Sequence, residues 1–411
     1  MSSASPFSGP RLAWMLPLAG ILLGLAVLLV QSRGLIGYRG SDFILFHEAV
    51  RRTLADPATL YRDADGAALS LQGFLYAPPS IALLLPFGIG DQARGFLLLS
   101  WSALVAALLA IGIWLRALGR EGVIRPGFLV TPMLILLAAV TGPVASCRMG
   151  QVDTLILLII VMGAVLARRG HPVIGGAILA FGAWVKIYPV LILLPLLLDR
   201  RLRRPVSIGF AGGALAILLL AALIFPLGVW ETYAHMLPRM AERTIVNIYN
   251  QSITADVLRL SLPHRLALET YAALPVPAPL RLGIAAAGLA LIAAMQWRVA
   301  RTGASPLIVL AAAMATISLI APLGWGHSYA YVLPLLVMVA AQAIERRAAV
   351  WIAAIALAWA ALLVPAYHRF AGAEAAPWLW ILVYSRYAIA TLVLLGAAWH
   401  FARRATVRAR A

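Results

Sequence analysis

Apolar stretches of about twenty residues recur along the whole chain, and that recurrence limits its fold more than any motif does. The first runs from Leu12 to Val30; clear successors occupy 94–115, 127–146, 205–228, 281–300, 305–325, 328–344, 348–367 and 378–401. A run of that length buries itself either in lipid or in the heart of a large fold. Charge decides between the two. Only 12% of the 411 residues are charged, about half the share a soluble domain uses to cover its surface. A soluble globular enzyme is therefore excluded. With one cysteine, Cys147, and no low-complexity repeat, so are a disulfide scaffold and a disordered chain. The expected fold class is an all-α polytopic membrane protein, one integral membrane domain over residues 1–411.

The 33 basic and 15 acidic residues leave a net charge of +18. In a soluble protein that excess would suggest nucleic acid. Here the arginines gather between apolar runs, at 200–204, 346–347 and 403–410, which is the signature of positive-inside topology. The implied partners are membrane lipids, with no nucleic acid. Leu12–Val30 is followed by Gln31-Ser32-Arg33-Gly34 and no small-x-small cleavage site, so it is expected to stay as a first helix with its N-terminus inside. The clusters put 298–301, 345–347 and the tail 402–411 in the cytoplasm and 229–280 outside. Between 75 and 200 two arrangements compete. Twelve simple spans, the preferred count, make a helix of 77–91 but leave Arg120, Arg125, Arg168 and Arg169 outside. The rival makes 77–91 and 173–198 re-entrant, since Pro78, Pro79, Pro86, Pro189 and Pro195 interrupt them.

Two external stretches exceed mere turns. In 33–74, Phe43, Phe46, Val50 and Leu54 are spaced for one helical face with Glu48, Arg51 and Arg52 off it, which predicts an interfacial amphipathic helix. The second, 229–280, mixes aromatics, charges and prolines. No repeat links the halves, which weakens a transporter built on inverted repeats.

Several polar residues stand out against this background. Asp42 opens the interfacial helix, either as a cap with Ser41 or as a general base at the membrane surface. His47, one turn on, reads as an interfacial side chain. Gln151 and Asp153 begin an apolar run, where polar groups usually line a cavity. Asn250 and Gln251 offer amides suited to sugar hydroxyls, or form a capping turn before a helix near 253–260. His327 follows Trp325 at an external helix end. Lys186 is the only lysine beside 32 arginines and lies in Ala183-Trp184-Val185-Lys186-Ile187-Tyr188-Pro189. Snorkelling would suit an arginine equally well, whereas a compact ammonium fits a single phosphate in a tight cavity.

The order of features resembles glycosyltransferase family 87. The matching pieces are Ser41-Asp42-Phe43 with Leu60-Tyr61; Phe74-Leu75-Tyr76-Ala77-Pro78-Pro79 with Pro86; Gly150-Gln151-Val152-Asp153; and Gly175-Gly176 leading to Lys186-Ile187-Tyr188-Pro189. Asn250-Gln251-Ser252 and Pro322-Leu323-Gly324-Trp325-Gly326-His327 complete them. Asp153 stands where the family more often has Asn.

The resemblance implies a GT-C-type bundle of about 12 transmembrane helices and an inverting transfer of a sugar, expected to be mannose, from a polyprenyl-phosphate donor. The acceptor would be a hydroxyl of a glycan or glycolipid at the outer face of a bacterial inner membrane. The acidic residue of the first external loop is then the base, which maps onto Asp42, with His327 as the second catalytic candidate. Lys186 and Tyr188 would hold the lipid phosphate, aided by the face of Trp184 or Tyr188. Tyr76, Gln151, Asn250, Gln251 and Trp325 would contact sugar or acceptor. No cofactor or metal is expected. The competing classes are a transporter or flippase for a lipid-linked saccharide, and a structural membrane subunit.

Overall fold

The computed structural model describes residues 18–27, 40–61, 73–125, 127, 130–262, 273–364 and 382–402. The middle of the first loop, the loop 368–377, the basic tail and the flanks of the first apolar run lie outside the described residues. Helices account for most of the described residues. α1 (Leu18–Val27) precedes α2 (Ser41–Ala55), and a short α3 (Ile81–Gly88) turns into the long α4 (Gln92–Arg120). Then come α5 (Val130–Ala139), α6 (Gly142–Met149), α7 (Asp153–Arg168), α8 (Pro172–Val185) and α9 (Leu193–Leu198). The second half holds α10 (Arg203–Ala222), α11 (Leu227–Glu242), α12 (Ile253–Arg259), α13 (Ala278–Thr302) and α14 (Leu307–Ile320). It closes with α15 (Leu333–Glu345), α16 (Ala349–Leu363) and α17 (Arg386–Phe401). The described sheet is one antiparallel pair, β1 (Arg243–Ile245) with β2 (Ala273–Pro275), which ties the two ends of the 229–280 segment together.

Among the described residues, four helical runs are long and apolar enough to cross a membrane: α4, α10, α13 and Gly326–Glu345, which ends in α15. Burial sorts them. In the Gly326–Glu345 window 89% of residues are buried, and every residue of α14 from Leu307 to Leu319 is buried, so these two form the axis of the bundle. Only 17% of α10 and 22% of α13 are buried, and Leu215, Leu219, Leu220 and Leu282 point outward. An apolar surface of that extent is stable against lipid tails and not against water. The chain is an integral membrane protein. Because lipid supplies no hydrophobic drive between helices, small residues set the close packing. Gly175 sits against the Gly163 backbone on α7, and Gly176 against the Val206 backbone on α10; a side chain at either would collide with that backbone.

Polar contacts define two ends of this bundle. At one, Glu121 accepts from Arg168 at 2.9 Å and from Ser305, the Arg125 amide donates to Glu345, and Arg346 reaches the Phe401 carbonyl. The other end gathers Asp42, Tyr76, Gln151, Lys186 and His327. This division corrects the preferred arrangement of the first half. Tyr76, before the 77–91 segment, bonds Gln151, and Gly90, at its end, accepts from His47 at 3.0 Å. Both ends of the segment therefore lie at one end of the bundle, and α3, with Pro86 inside it, does not cross. The segment 173–198 behaves as the rival arrangement requires: α8 leaves the arginine-rich end, the helix breaks at Lys186, and α9 returns. Arg120, Arg125 and Arg168 thus share an end with Glu345 and Arg346.

The helix predicted in the first loop is α2. Phe43, Phe46 and Val50 are buried as its spacing implies, and Glu48 pairs with Arg52 on the outer face at 3.2 Å. Leu54 departs from the expectation; it is 58% exposed, because the helix ends one residue later and nothing packs over it.

Candidate active site

Two left-handed glycines build the site. Gly40 (φ 62) is the N-cap of α2 and contributes no side-chain cap, so Ser41 and Asp42 fall inside the first turn. The capping role considered for them is not what the structure shows. Asp42 instead gains from the helix dipole and is left to reach sideways. Gly150 (φ 72) ends α6, and a Cβ there would lie 2.5 Å from that of Phe43. Glycine alone allows both the reversed backbone and this approach. The consequence is that Gln151 lands beside Asp42.

Gln151 is buried and uses both ends of its amide. Its Nε2 donates to Asp42 Oδ2 at 2.6 Å, and its Oε1 accepts from the Tyr76 hydroxyl at 3.0 Å. Tyr76 is held in turn by Tyr61, whose hydroxyl donates to the Tyr76 carbonyl at 2.5 Å and whose ring stacks on Tyr233 of α11. On its other side the Tyr76 ring lies under the Lys186 ammonium, 5.6 Å from the centroid. This is the aromatic partner of Lys186. Trp184, one of the two expected, donates its indole N–H to the Ala214 carbonyl and packs edge-on to Trp230 instead. Tyr188 opens the 3₁₀ turn after the break and lies within electrostatic reach of Lys186 without bonding it.

Lys186 donates to both oxygens of Asp153, at 2.8 and 2.9 Å. Asp153 is fully buried at the first turn of α7, while the Lys186 side chain keeps 13% exposure. An ammonium has three donors, so one remains for a ligand. His327 Nε2 lies 3.7 Å from Asp153 Oδ2, and the ring is also within electrostatic reach of Asp42. A continuous polar path therefore runs from Asp42 through Gln151 and Tyr76 to Lys186, Asp153 and His327. It draws on α2, the loop before α3, the start of α7, the break after α8 and the turn before α15.

The second long segment supplies the frame. Asn250 donates to Thr244, the Ile245 carbonyl and the Pro322 carbonyl at 2.8–3.0 Å, and accepts from the amides of Ser252 and Gly324. Every donor and acceptor is used, so the expected sugar-binding role of Asn250 gives way to that of a clamp. Ser252 caps α12, as the alternative reading had it. Gln251 is fully buried; its Nε2 donates to the Ile248 carbonyl, its backbone holds Gly324 and Tyr329, and its Oε1 has no partner. Trp325 pairs with Asn250 through the backbone and is half-buried. The clamp matters because it fixes 322–327 and hence His327. His47, bonded to Gly90 and packed on Phe43, is likewise structural.

Two features of the site escaped the sequence reading. Asp153 stood out as a polar group opening an apolar run and as a departure from a family pattern, but not as the partner of Lys186, although polar residues at like ends of two successive apolar runs, 153 and 186, are placed to meet. Tyr331 carried no mark in the sequence; its buried hydroxyl faces the Asp153 carboxylate. Its signal was position, four residues beyond His327.

The profile describing Glycosyltransferase family 87 matches residues 74–323, more than half of the chain. No curated protein matches it.

Proposed function

The chain belongs to glycosyltransferase family 87, and on that premise we propose that it is an inverting, GT-C-type transferase using a polyprenyl-phosphate sugar, with mannose as the expected sugar. Asp42 is the general base. An acceptor hydroxyl of a glycan or glycolipid attacks the anomeric carbon, its proton passes to Asp42, and the bond to the lipid phosphate breaks with its electron pair leaving on phosphate oxygen. Gln151 aims the carboxylate. Lys186 meets the charge that develops on the leaving phosphate, and Tyr188 and His327 border it. Gln251 and Trp325 frame the sugar side, with Tyr76 between the two halves. The arginine-rich end is cytoplasmic and the site opens on the outer face of the inner membrane.

The observation that supports this reading best is the 2.6 Å bond from Gln151 to Asp42, which holds a half-buried carboxylate at the same end of the bundle as Lys186. The test is Asp42→Asn in purified protein with radiolabelled polyprenyl-phosphate mannose. Donor binding should persist while transfer falls by about two to four orders of magnitude, the range for a lost general base. Normal turnover in that variant would remove Asp42 from the chemistry. Movement of lipid-linked sugar with no transfer in the unaltered protein would favour a flippase.

A further inference from the structure

At the end of the bundle opposite Asp42, a crevice of about 400 Å³ opens between α4, α7 and the start of α14. Arg120, Glu121, Arg168 and Arg169 form its polar side; Val165 and Leu307 form an apolar wall. The only carboxylate is already engaged, since Glu121 accepts from Arg168 with one oxygen and from Ser305 with the other. Arg120 and Arg169 make no ion pair among the described residues and stand close enough to repel. Arg169 is held below the ordinary arginine value by lost hydration and by Arg120 and Arg116 nearby. With Glu121 as the one carboxylate against Arg120, Arg168 and Arg169, the lining of the crevice carries a net positive charge. Two guanidinium forks suit the oxygens of a phosphate, and a basic crevice between helices at the membrane surface suits one borne by a lipid.

We propose that this crevice binds the phosphate of an anionic phospholipid headgroup, with Arg120 and Arg169 as its ligands and Val165 and Leu307 against the glyceryl end of the acyl chains. The lipid joins the ends of α4, α7 and α14 at the point where Glu121 already links Arg168 to Ser305. The site is separate from the transferase centre and does not depend on the reading of that centre.

The experiment uses full-length protein, delipidated in neutral detergent, with bound lipid counted by native mass spectrometry. Phosphatidylglycerol should bind, phosphatidylcholine should not, and inorganic phosphate at equal concentration should compete poorly. Arg120→Gln/Arg169→Gln should weaken phosphatidylglycerol binding at least about tenfold, the scale of one lost charge-assisted contact. Arg200→Gln/Arg201→Gln, at exposed positions near the same end, should leave it unchanged. If the double variant does not elute as a folded species, Arg169→Gln alone, at an exposed helix end, serves the same comparison. Equal affinity in the crevice variants, or equal loss in the Arg200 and Arg201 control, would overturn the site. Inorganic phosphate binding as tightly as the lipid would overturn the lipid assignment in favour of a soluble phosphate.

Discussion

Lys186→Met would remove the ammonium that satisfies both oxygens of Asp153 and leave a fully buried carboxylate facing only His327, 3.7 Å away, and the Tyr331 hydroxyl. Breaking one side of a buried pair typically costs about 3–5 kcal/mol. The 13% exposure of Lys186 and the nearby imidazole place this case at the low end, about 3 kcal/mol. Asp153→Asn keeps the shape and one acceptor, so it should cost about 2 kcal/mol, the worth of a hydrogen bond to a charged group. The double variant carries no buried charge at either position and should return to within about 1 kcal/mol of the unaltered protein. A coupling energy of about 3 kcal/mol or more is therefore expected from equilibrium unfolding of the four proteins in mixed micelles. Donor binding should not return with stability in the double variant, because the phosphate ligand is still missing. Coupling below about 0.5 kcal/mol would refute the pair as a folded-state interaction. Recovery of donor affinity alongside stability would refute Lys186 as the phosphate ligand.

Gln151→Leu removes the amide that orients Asp42 and should lower kcat about tenfold to hundredfold with little change in donor KM, read in the same transfer assay. Gly150→Ala forces a side chain into a left-handed backbone and against Phe43; it should cost about 2 kcal/mol or more and lower transfer further than Gln151→Leu. His235→Cys in a Cys147→Ser background should be labelled by an impermeant reagent in intact cells, since α11 lies on the segment placed outside. Labelling only after permeabilisation would invert the orientation.

The apolar runs made the fold class legible, because lipid selects on length and polarity alone. The side of each segment was less so. In 75–200 the twelve-span count followed hydropathy, and hydropathy does not distinguish a helix that crosses from one such as α3 that packs on α2 and turns back. The arginines carried the better signal, and Arg120 and Arg168 do lie with Glu121 at the basic end. Asp42, Gln151, Lys186 and His327 were found because a polar residue in an apolar run is conspicuous. Their pairing was not, since Gln151 reaches Asp42 only through the left-handed turn at Gly150. Asn250 shows the reverse failure. Its amide looked available from the sequence, and four partners brought in by β1 and the 322–324 loop, with the Ser252 amide of its own turn, consume it.

The ion pair between Asp153 and Lys186 also bears on how the protein enters the membrane. The two residues are 33 positions apart, at the open ends of the α7–α8 hairpin, whose closed end is the turn at 169–171. Presented singly to lipid, each charge would resist insertion by about 2.5–3.5 kcal/mol. Presented on one hairpin, they neutralise each other before any later helix has been synthesised. The hairpin is therefore a self-sufficient insertion unit, and the same residues meet a demand of biogenesis earlier than any demand of chemistry. Variants that strip one charge should first show themselves as chains degraded during synthesis, ahead of any measurable loss of turnover in the protein that survives.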